Sequence, residues 1–252
     1  VWYAGDINRP GSNSQLQLVD ERIVGPMPES LDFPQAAALP LTAITAWEMV
    51  FERLQLAPGK GPEQAALLVV GAAGGVGSIL VQLARRLTSL YVVGTASRPE
   101  TESWVRAMGA HQVIDHSRPL TEGLRDIGVD TVEYVVSLTQ TDRHFPQIAE
   151  ILAPQGRFGL IDDPSNLDVR LLKRKSVSLH WEFMFTRPVY QTADMAAQQR
   201  ILRELAALVD DGLIRSTQRE HFGSIRADHL RAAHAQIESG RSIGKLVLEG
   251  FG

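Results

Sequence analysis

The pattern of hydrophobic and polar residues changes twice along the chain. Residues 1–33 alternate turn signals with short alternating runs such as 15–19, which predicts a small β region. Apolar residues at helical spacing follow over 34–54, interrupted by Pro40. From residue 66 onward, short apolar runs alternate with amphipathic stretches, which is typical of buried parallel strands connected by helices.

The alternating region predicts a parallel sheet covered by helices on both faces. Six strands are predicted at 66–70, 91–95, 112–115, 132–136, 157–161 and 176–180. Helices between them are predicted at 77–87, 99–108, 120–126 and 143–152. This strand count is that of the complete dinucleotide-binding sheet, so the predicted fold class is α/β with a doubly wound six-stranded parallel Rossmann sheet.

The end of the chain returns to the character of its beginning. After a long amphipathic helix at 194–210 and a second helix at 227–238, a glycine turn leads into a strand at 245–248. Both ends look β-like, so we expect them to form one second domain into which the sheet is inserted. A connector is predicted at 58–62, and the predicted domains are 1–35, 36–215 and 216–252.

Composition and charge narrow the function classes. The 252 residues are 44% hydrophobic with a net charge of −4, so no strongly basic face is expected and nucleic acid is a poor candidate partner. The chain has no cysteine, which excludes disulfides, a thiol nucleophile and cysteine-ligated metals within it. No apolar run is long enough to span a membrane, and we expect a cytoplasmic protein. The chain opens at Val1 without a methionine, so we also expect a fragment.

A glycine-rich turn stands between the first predicted strand and its helix. The segment Val70-Gly71-Ala72-Ala73-Gly74-Gly75-Val76-Gly77 fits the dinucleotide fingerprint, with Ala72 in the first glycine place. Gly74 would let the backbone approach a pyrophosphate, and Gly77 would let the helix pack closely on the sheet. The helix N-terminus would offer unpaired N–H groups to the phosphates. An ordinary tight turn is the alternative, whereas the missing Gly-Lys-Ser/Thr sets aside a nucleoside triphosphatase.

The end of the second predicted strand indicates which nucleotide would bind. An NAD site usually carries an acidic residue here for the ribose 2′-hydroxyl. This chain has Thr95-Ala96-Ser97-Arg98-Pro99 instead, with no carboxylate. The Ser97 hydroxyl and the Arg98 guanidinium suit the 2′-phosphate of NADPH. The missing acid also argues against S-adenosylmethionine, and a solvated surface arginine is the alternative for Arg98.

Several segments together resemble the medium-chain dehydrogenase/reductase superfamily. They are 42–47, the glycine turn, 94–99, 108–116 and 244–248. Within the superfamily the chain resembles the quinone oxidoreductase branch labelled zinc-type alcohol dehydrogenase-like, because of 160–164 and 179–187. The resemblance covers nearly the whole chain and implies that its two ends are parts of a GroES-like β domain.

The resemblance implies NADPH-dependent hydride transfer to quinones or α,β-unsaturated carbonyls, for which the protein provides orientation and a dry pocket. The residues that would line the cofactor are Thr45, Ala73, Gly74, Gly75, Val76, Gly77, Ser97, Arg98, Ser137, Leu138, Thr139, Ile161, Asp162 and Lys245. Among them, Ile161 and Asp162 would lie near the nicotinamide. For Thr45, ordinary helix packing is an equal alternative to a cofactor contact. For Lys245, the equal alternative is a solvated surface lysine.

One departure from the family affects catalysis and metal binding. The N-terminal part of the catalytic domain, which carries the first zinc ligands of zinc members, has no counterpart here. No ligand stands at 40–42 either, and no His-Glu-x-x-His occurs, so we interpret this branch as zinc-independent and the histidines as surface or satisfied residues. The acid–base groups are expected in the same N-terminal part, so no catalytic residue is assigned.

The sequence leaves alternative functions to consider and also predicts a partner, a second copy of the chain. A zinc-dependent alcohol dehydrogenase and a truncated NADPH-binding protein without turnover stay open, whereas the absence of Tyr-x-x-x-Lys disfavours a short-chain dehydrogenase. The resemblance also implies a homodimer, formed by pairing of the sixth strand with its mate. An exposed edge strand this apolar would otherwise be a liability.

Overall fold

A computed structural model describes residues 1–59 and 65–251, so the connector predicted at 58–62 lies partly outside the described residues. The described chain contains a six-stranded parallel sheet with the order β3-β2-β1-β4-β5-β6. Its strands are β1 Ala66–Val70, β2 Tyr91–Thr95, β3 Gln112–Ile114, β4 Val132–Ser137, β5 Leu152–Leu160 and β6 Ser178–Trp181. This confirms the predicted doubly wound Rossmann sheet.

The sheet forms because its central strands carry almost no polar side chains. All five residues of β1 are buried, and β1 pairs with β2 on one side and β4 on the other. Residues of β1, β2, β4 and β5 form one core with the helices that cross a sheet face. Phe158 of β5 and Phe145 pack there with ring centroids 5.6 Å apart. Burial on both faces explains why these strands read as continuous apolar runs.

The predicted helices are present with shifted ends, and two short helices that were not predicted, at 170–173 and 186–190, are added. They are α1 Phe33–Ala37, α2 Pro40–Trp47, a π-helical segment Glu48–Arg53, α3 Gly75–Leu87, α4 Pro99–Met108, α5 Leu120–Asp126, α6 Thr141–Ile151, α7 Arg170–Lys173, α8 Thr186–Tyr190, α9 Ala197–Asp210 and α10 Ala227–Glu238. A short second sheet pairs β7 Gln218–His221 with β8 Lys245–Val247 in parallel. Within the described residues, no helix combines the length and the apolar character needed to cross a bilayer.

The strand predicted at 15–19 is wrong. This segment has no regular structure, and Leu16 and Leu18 are 92% and 84% exposed. An alternating run becomes a strand only beside a partner strand and over a core, and the described residues provide neither here. The β structure near this end is reduced to a single antiparallel bridge between Trp2 and Gly25.

The chain divides into two compact units, one of Val1–Thr45 with Phe183–Gly252 and one of Ala46–Glu182. The predicted boundary at 36–215 is wider than this sheet unit. The π-helical segment belongs to the sheet unit because Met49 packs against Gly159 of β5. In contrast, α9 belongs with the N-terminal residues, since the Asp210 carboxylate accepts from the Ser30 hydroxyl at 2.6 Å.

Candidate functional site

The glycine turn after β1 leads directly into α3. Gly71 has φ +82°, a conformation that favours glycine, and its N–H donates to the Thr95 hydroxyl at 3.1 Å. Gly74 is the N-cap of α3 and has no capping side chain. The first N–H groups of α3 therefore have no side-chain acceptor at the cap, which leaves an anion-binding helix end at this edge of the sheet.

Glycine is found at positions 77 and 74 of the turn for different reasons. A Cβ on Gly77 would stand 2.5 Å from the Gly71 carbonyl oxygen and 2.6 Å from the Ala72 Cα. Only glycine lets α3 approach β1 this closely. A Cβ on Gly74 would meet only the Gly71 oxygen, at 3.5 Å, an ordinary contact. Packing does not require glycine at 74; glycine is a favoured N-cap residue, and its lack of a side chain also allows close approach by a ligand.

The segment after β4 lies over the same turn. The Leu138 N–H donates to the Val70 carbonyl at 3.1 Å, and a Cβ on Gly71 would stand 3.0 Å from the Thr139 methyl group. Gln140 follows with φ +51°, a left-handed backbone that is uncommon outside glycine. Strained backbone is often found at functional sites. The loops after β1 and β4 thus meet at the carboxyl edge of the sheet.

The predicted site residues Ser137 and Asp162 are joined through Thr141. The Asp162 carboxylate accepts the Thr141 N–H at 2.9 Å and also its hydroxyl group. The Thr141 hydroxyl lies 2.8 Å from the Ser137 hydroxyl. Asp162 follows β5 and Thr141 begins α6, so this network fixes the β4 and β5 ends relative to each other. Ile161 lies in the same place, with its N–H 3.4 Å from the Ser137 carbonyl.

The end of β2 presents the two residues predicted to select the nucleotide. Ser97 is exposed, and Arg98 is the N-cap of α4, with its N–H on the Thr101 hydroxyl at 3.2 Å. The Arg98 Nε lies 3.4 Å from a carboxylate oxygen of Glu100, which is half-exposed. An ion pair this exposed contributes at most about 1 kcal/mol, so a phosphate could displace it.

Two histidines at this edge are neither solvated nor satisfied, which corrects the interpretation made from the sequence. His116 follows β3, and His144 lies in the first turn of α6. Their ring centroids are 6.2 Å apart, and each has a buried Nδ1 without a hydrogen-bond partner. Burial lowers the pKa of both rings below the ordinary value. Sequence spacing alone gave no signal that these two rings meet.

Thr45 and Lys245 belong to the other compact unit. Thr45 is buried, and its hydroxyl donates to the Leu41 carbonyl within α2 at 2.9 Å, as in ordinary helix packing. Lys245 begins β8, where burial lowers its pKa, so it is not a solvated lysine. The predicted site residues that the structure brings together are those of the sheet unit.

The residues that the structure describes do not form a zinc site by themselves. The sequence contains no cysteine. Across residues 1–59 and 65–251, no three His, Asp or Glu side chains gather as metal ligands. Zinc prefers four ligands from cysteine, histidine and carboxylate side chains, and a site with fewer protein ligands is weak. Zinc independence stays a prediction.

Comparison with known proteins places this geometry in a family. Residues 108–248 match the family described as zinc-binding dehydrogenase. A zinc-type alcohol dehydrogenase-like protein of Staphylococcus aureus is 35% identical over 250 residues, which are 98% of this chain and 74% of that protein. An NADPH-dependent alkenal/one oxidoreductase of Arabidopsis thaliana is 35% identical over 116 residues, 46% of this chain and 28% of that protein.

Solved structures agree. The crystal structure of a candidate zinc-dependent alcohol dehydrogenase from Rhizobium etli is 54% identical in sequence and superposes with a TM-score of 0.95. The match covers 99% of this chain and 73% of the Rhizobium etli chain. The resemblance to the medium-chain dehydrogenase/reductases is thereby confirmed. The chain belongs to the zinc-binding dehydrogenase family of the medium-chain dehydrogenase/reductase superfamily, whose members are nicotinamide nucleotide-dependent oxidoreductases.

Proposed function

We propose that this protein is an NADPH-dependent, zinc-independent oxidoreductase that reduces quinones or α,β-unsaturated carbonyls by hydride transfer. The observation that carries the proposal is the end of β2. An exposed Ser97 and the Arg98 guanidinium stand there, and no carboxylate occurs between Thr95 and Pro99. A guanidinium binds a phosphate with paired, charge-assisted hydrogen bonds, whereas an acidic residue would repel it.

The glycine turn supports the nucleotide half of the proposal. Gly74 leaves room that packing does not use, and it caps α3 without a side-chain hydrogen bond, so the helix N-terminus offers a site for an anion. The cofactor-binding residues proposed in the sheet unit are Ala73, Gly74, Gly75, Val76, Gly77, Ser97, Arg98, Ser137, Leu138, Thr139, Ile161 and Asp162. Thr45 and Lys245 are proposed from the other unit.

The substrate half rests on the chemistry of hydride transfer and on one relative. When bound, NADPH would supply a hydride, and a proton from water or a side chain would complete the two-electron reduction of a conjugated carbonyl. A quinone and an enone both accept hydride because their products delocalise the charge onto oxygen. The Arabidopsis thaliana relative, named an NADPH-dependent alkenal/one oxidoreductase, supports this substrate class.

Nucleotide choice is tested by fluorescence titration with NADPH and with NADH. We expect tighter binding of NADPH. Arg98→Ala should weaken NADPH by about tenfold to a hundredfold, since a hydrogen bond to a charged group contributes about 1.5–3 kcal/mol, and should leave NADH unchanged. Arg106→Ala is the matched control, because Arg106 is also on α4 and pairs with Glu102 on the surface. Equal loss for both nucleotides in Arg98→Ala would contradict the assignment.

Turnover is tested by following NADPH absorbance with a small quinone and an enone, before and after treatment with a chelator. We expect activity that survives the chelator. Loss of activity that zinc restores would replace the proposal with a zinc-dependent alcohol dehydrogenase. Tight NADPH binding without turnover on any carbonyl would leave a nucleotide-binding protein.

A further inference from the structure

A histidine pair lies beside the residues proposed for the 2′-phosphate. Strands β2 and β3 are neighbours in parallel register, with Thr95 opposite Ile114, and the Ala96 N–H donates to the Ile114 carbonyl at 3.0 Å. Arg98 follows the end of β2 and His116 follows the end of β3. The two therefore emerge side by side at the carboxyl edge of the sheet, where the charge of Arg98 acts on the His116 ring.

The His116 and His144 rings meet edge to face, at an interplanar angle of 74°. His144 is only 4% exposed, and the Nδ1 atoms of both rings are buried without a partner. A buried polar atom without a hydrogen bond costs free energy and calls for an explanation. The function proposed above does not yet use either ring.

Burial disfavours the protonated form of the pair in the free protein. It is the main cause that lowers the pKa of His116; the Asp115 carboxylate raises that pKa, and the guanidinium groups of Arg143 and Arg98, with smaller effects, lower it. Burial, Arg143 and His116 itself lower the pKa of His144. These are the charged groups that act on the two rings, and burial outweighs the one among them that favours the imidazolium form, Asp115.

We propose that binding of NADPH to this chain is accompanied by uptake of one proton by the His116–His144 pair, whereas binding of NADH is not. The inference rests on the proposed NADPH site. NADPH differs from NADH only by the 2′-phosphate, which carries close to two negative charges at neutral pH. Placed against Arg98, that group would offset the guanidinium charge and add negative charge beside the buried rings, which favours the imidazolium form, and an imidazolium then attracts the phosphate in turn.

The proton sets the direction of the pH dependence. The pKa of the pair is lowered in the free protein and is higher in the NADPH complex. The NADPH affinity gained from protonation is therefore complete below the pKa of the free protein and is lost as the pH rises through the pKa of the complex. Between these two pKa values, NADPH affinity should fall by up to about tenfold per pH unit. NADH affinity should stay level. The protein would thus prefer NADPH most strongly under mildly acidic conditions.

The test is calorimetric titration of the whole chain near neutral pH, in two buffers that differ in ionisation enthalpy. Adenosine 2′,5′-bisphosphate and AMP serve as probes beside NADPH and NADH, since they report on this end of the site alone. We expect close to one proton taken up with each 2′-phosphorylated probe and none with the others. The phosphate has a second pKa near 6, and Arg98 favours its dianion, so the ligand itself would release protons rather than take them up.

Variants separate the pair from the ligand. His116→Gln and His144→Gln should each abolish the uptake and flatten the pH dependence, while His234→Gln, on the exposed side of α10, should keep both. NADPH binding without proton uptake in the unaltered chain, a measurement that needs no variant to fold, would overturn this inference and leave the proposed function intact. Failure of NADPH and of the bisphosphate to bind would overturn both.

Discussion

At the residue scale, the glycine turn separates what the fold requires from what a ligand requires. Gly77 and Gly74 look equivalent in a sequence motif, yet only Gly77 is forced by packing on the Gly71 and Ala72 backbone. The sequence predicted this division because the fingerprint assigns different tasks to its glycines. The His116–His144 pair shows the opposite case, since no spacing rule joins a residue after β3 to one in α6.

Substitution of the two glycines should therefore have different consequences. Gly77→Ala should destabilise the fold by about 1–3 kcal/mol or more, because its methyl group would meet backbone that cannot move aside. Gly74→Ala should destabilise the fold by less, about 0.5–1 kcal/mol, because alanine makes only an ordinary contact with the backbone here but is a poorer N-cap than glycine, and it should weaken NADPH binding. Urea unfolding and fluorescence titration of both variants measure this. A stable Gly77→Ala protein would contradict the packing argument.

At the element scale, the helical region predicted over 34–54, with its interruption at Pro40, illustrates what patterning misses. Asp32 begins α1 through a capping box with Gln35, and Pro40 begins α2. The continuation as a π-helical segment has a tertiary cause. Its Arg53 Nε lies 2.7 Å from the Glu182 carboxylate, just after β6, and its Met49 packs on Gly159. Periodicity predicted a helix here but not which element it would contact.

The buried carboxyl of Glu182 gives this contact a pH dependence. Glu182 and its neighbour Glu48 are 2% and 1% exposed. Burial raises the pKa of Glu182 above its ordinary value of 4.5, despite the opposing effects of its hydrogen bond with Glu48 and of the Arg53 guanidinium. The folded protein holds this proton more tightly than the unfolded chain. The resulting stability is complete below the unfolded pKa and is lost as the pH rises through the folded pKa.

Glu182→Gln should remove this loss of folding stability with rising pH. The loss amounts to at most about 1.4 kcal/mol per pH unit for one proton. Urea unfolding at several pH values above 4.5 measures it, with Glu122→Gln on the exposed face of α5 as the matched control. The comparison with the unaltered chain is needed because His116 and His144, whose pKa values are lowered, change stability in the opposite direction. An unchanged pH slope in Glu182→Gln would contradict the role of this carboxyl.

At the scale of the whole molecule, β6 is an edge of the sheet and so has hydrogen-bonding groups on one side without a strand beside them in the described chain. Trp181 at its end is 50% exposed. Exposed edges favour pairing with another strand unless charge or proline blocks them, and β6 contains neither. We propose that two copies of the chain pair through β6 to form a homodimer.

A lysine at this edge should prevent the pairing. Trp181→Lys should convert a dimer to a monomer in light scattering, because a charged lysine on an edge strand opposes its pairing with another strand. Tyr190→Lys, which replaces an aromatic residue of α8 that is 75% exposed, is the control and should stay dimeric. A monomeric unaltered chain would contradict the proposed dimer.

The sequence alone determined the six strands of the main sheet, the helices between the first five of them and the glycine turn, because these depend on short-range periodicity and on local backbone requirements. Tertiary structure alone decided which side chains meet. It left 15–19 without a partner strand, turned 48–53 into a π-helical segment against β5, and joined Asp162 to Thr141. It also brought His116 beside His144, since contacts between residues far apart in the chain follow from the packing of whole elements.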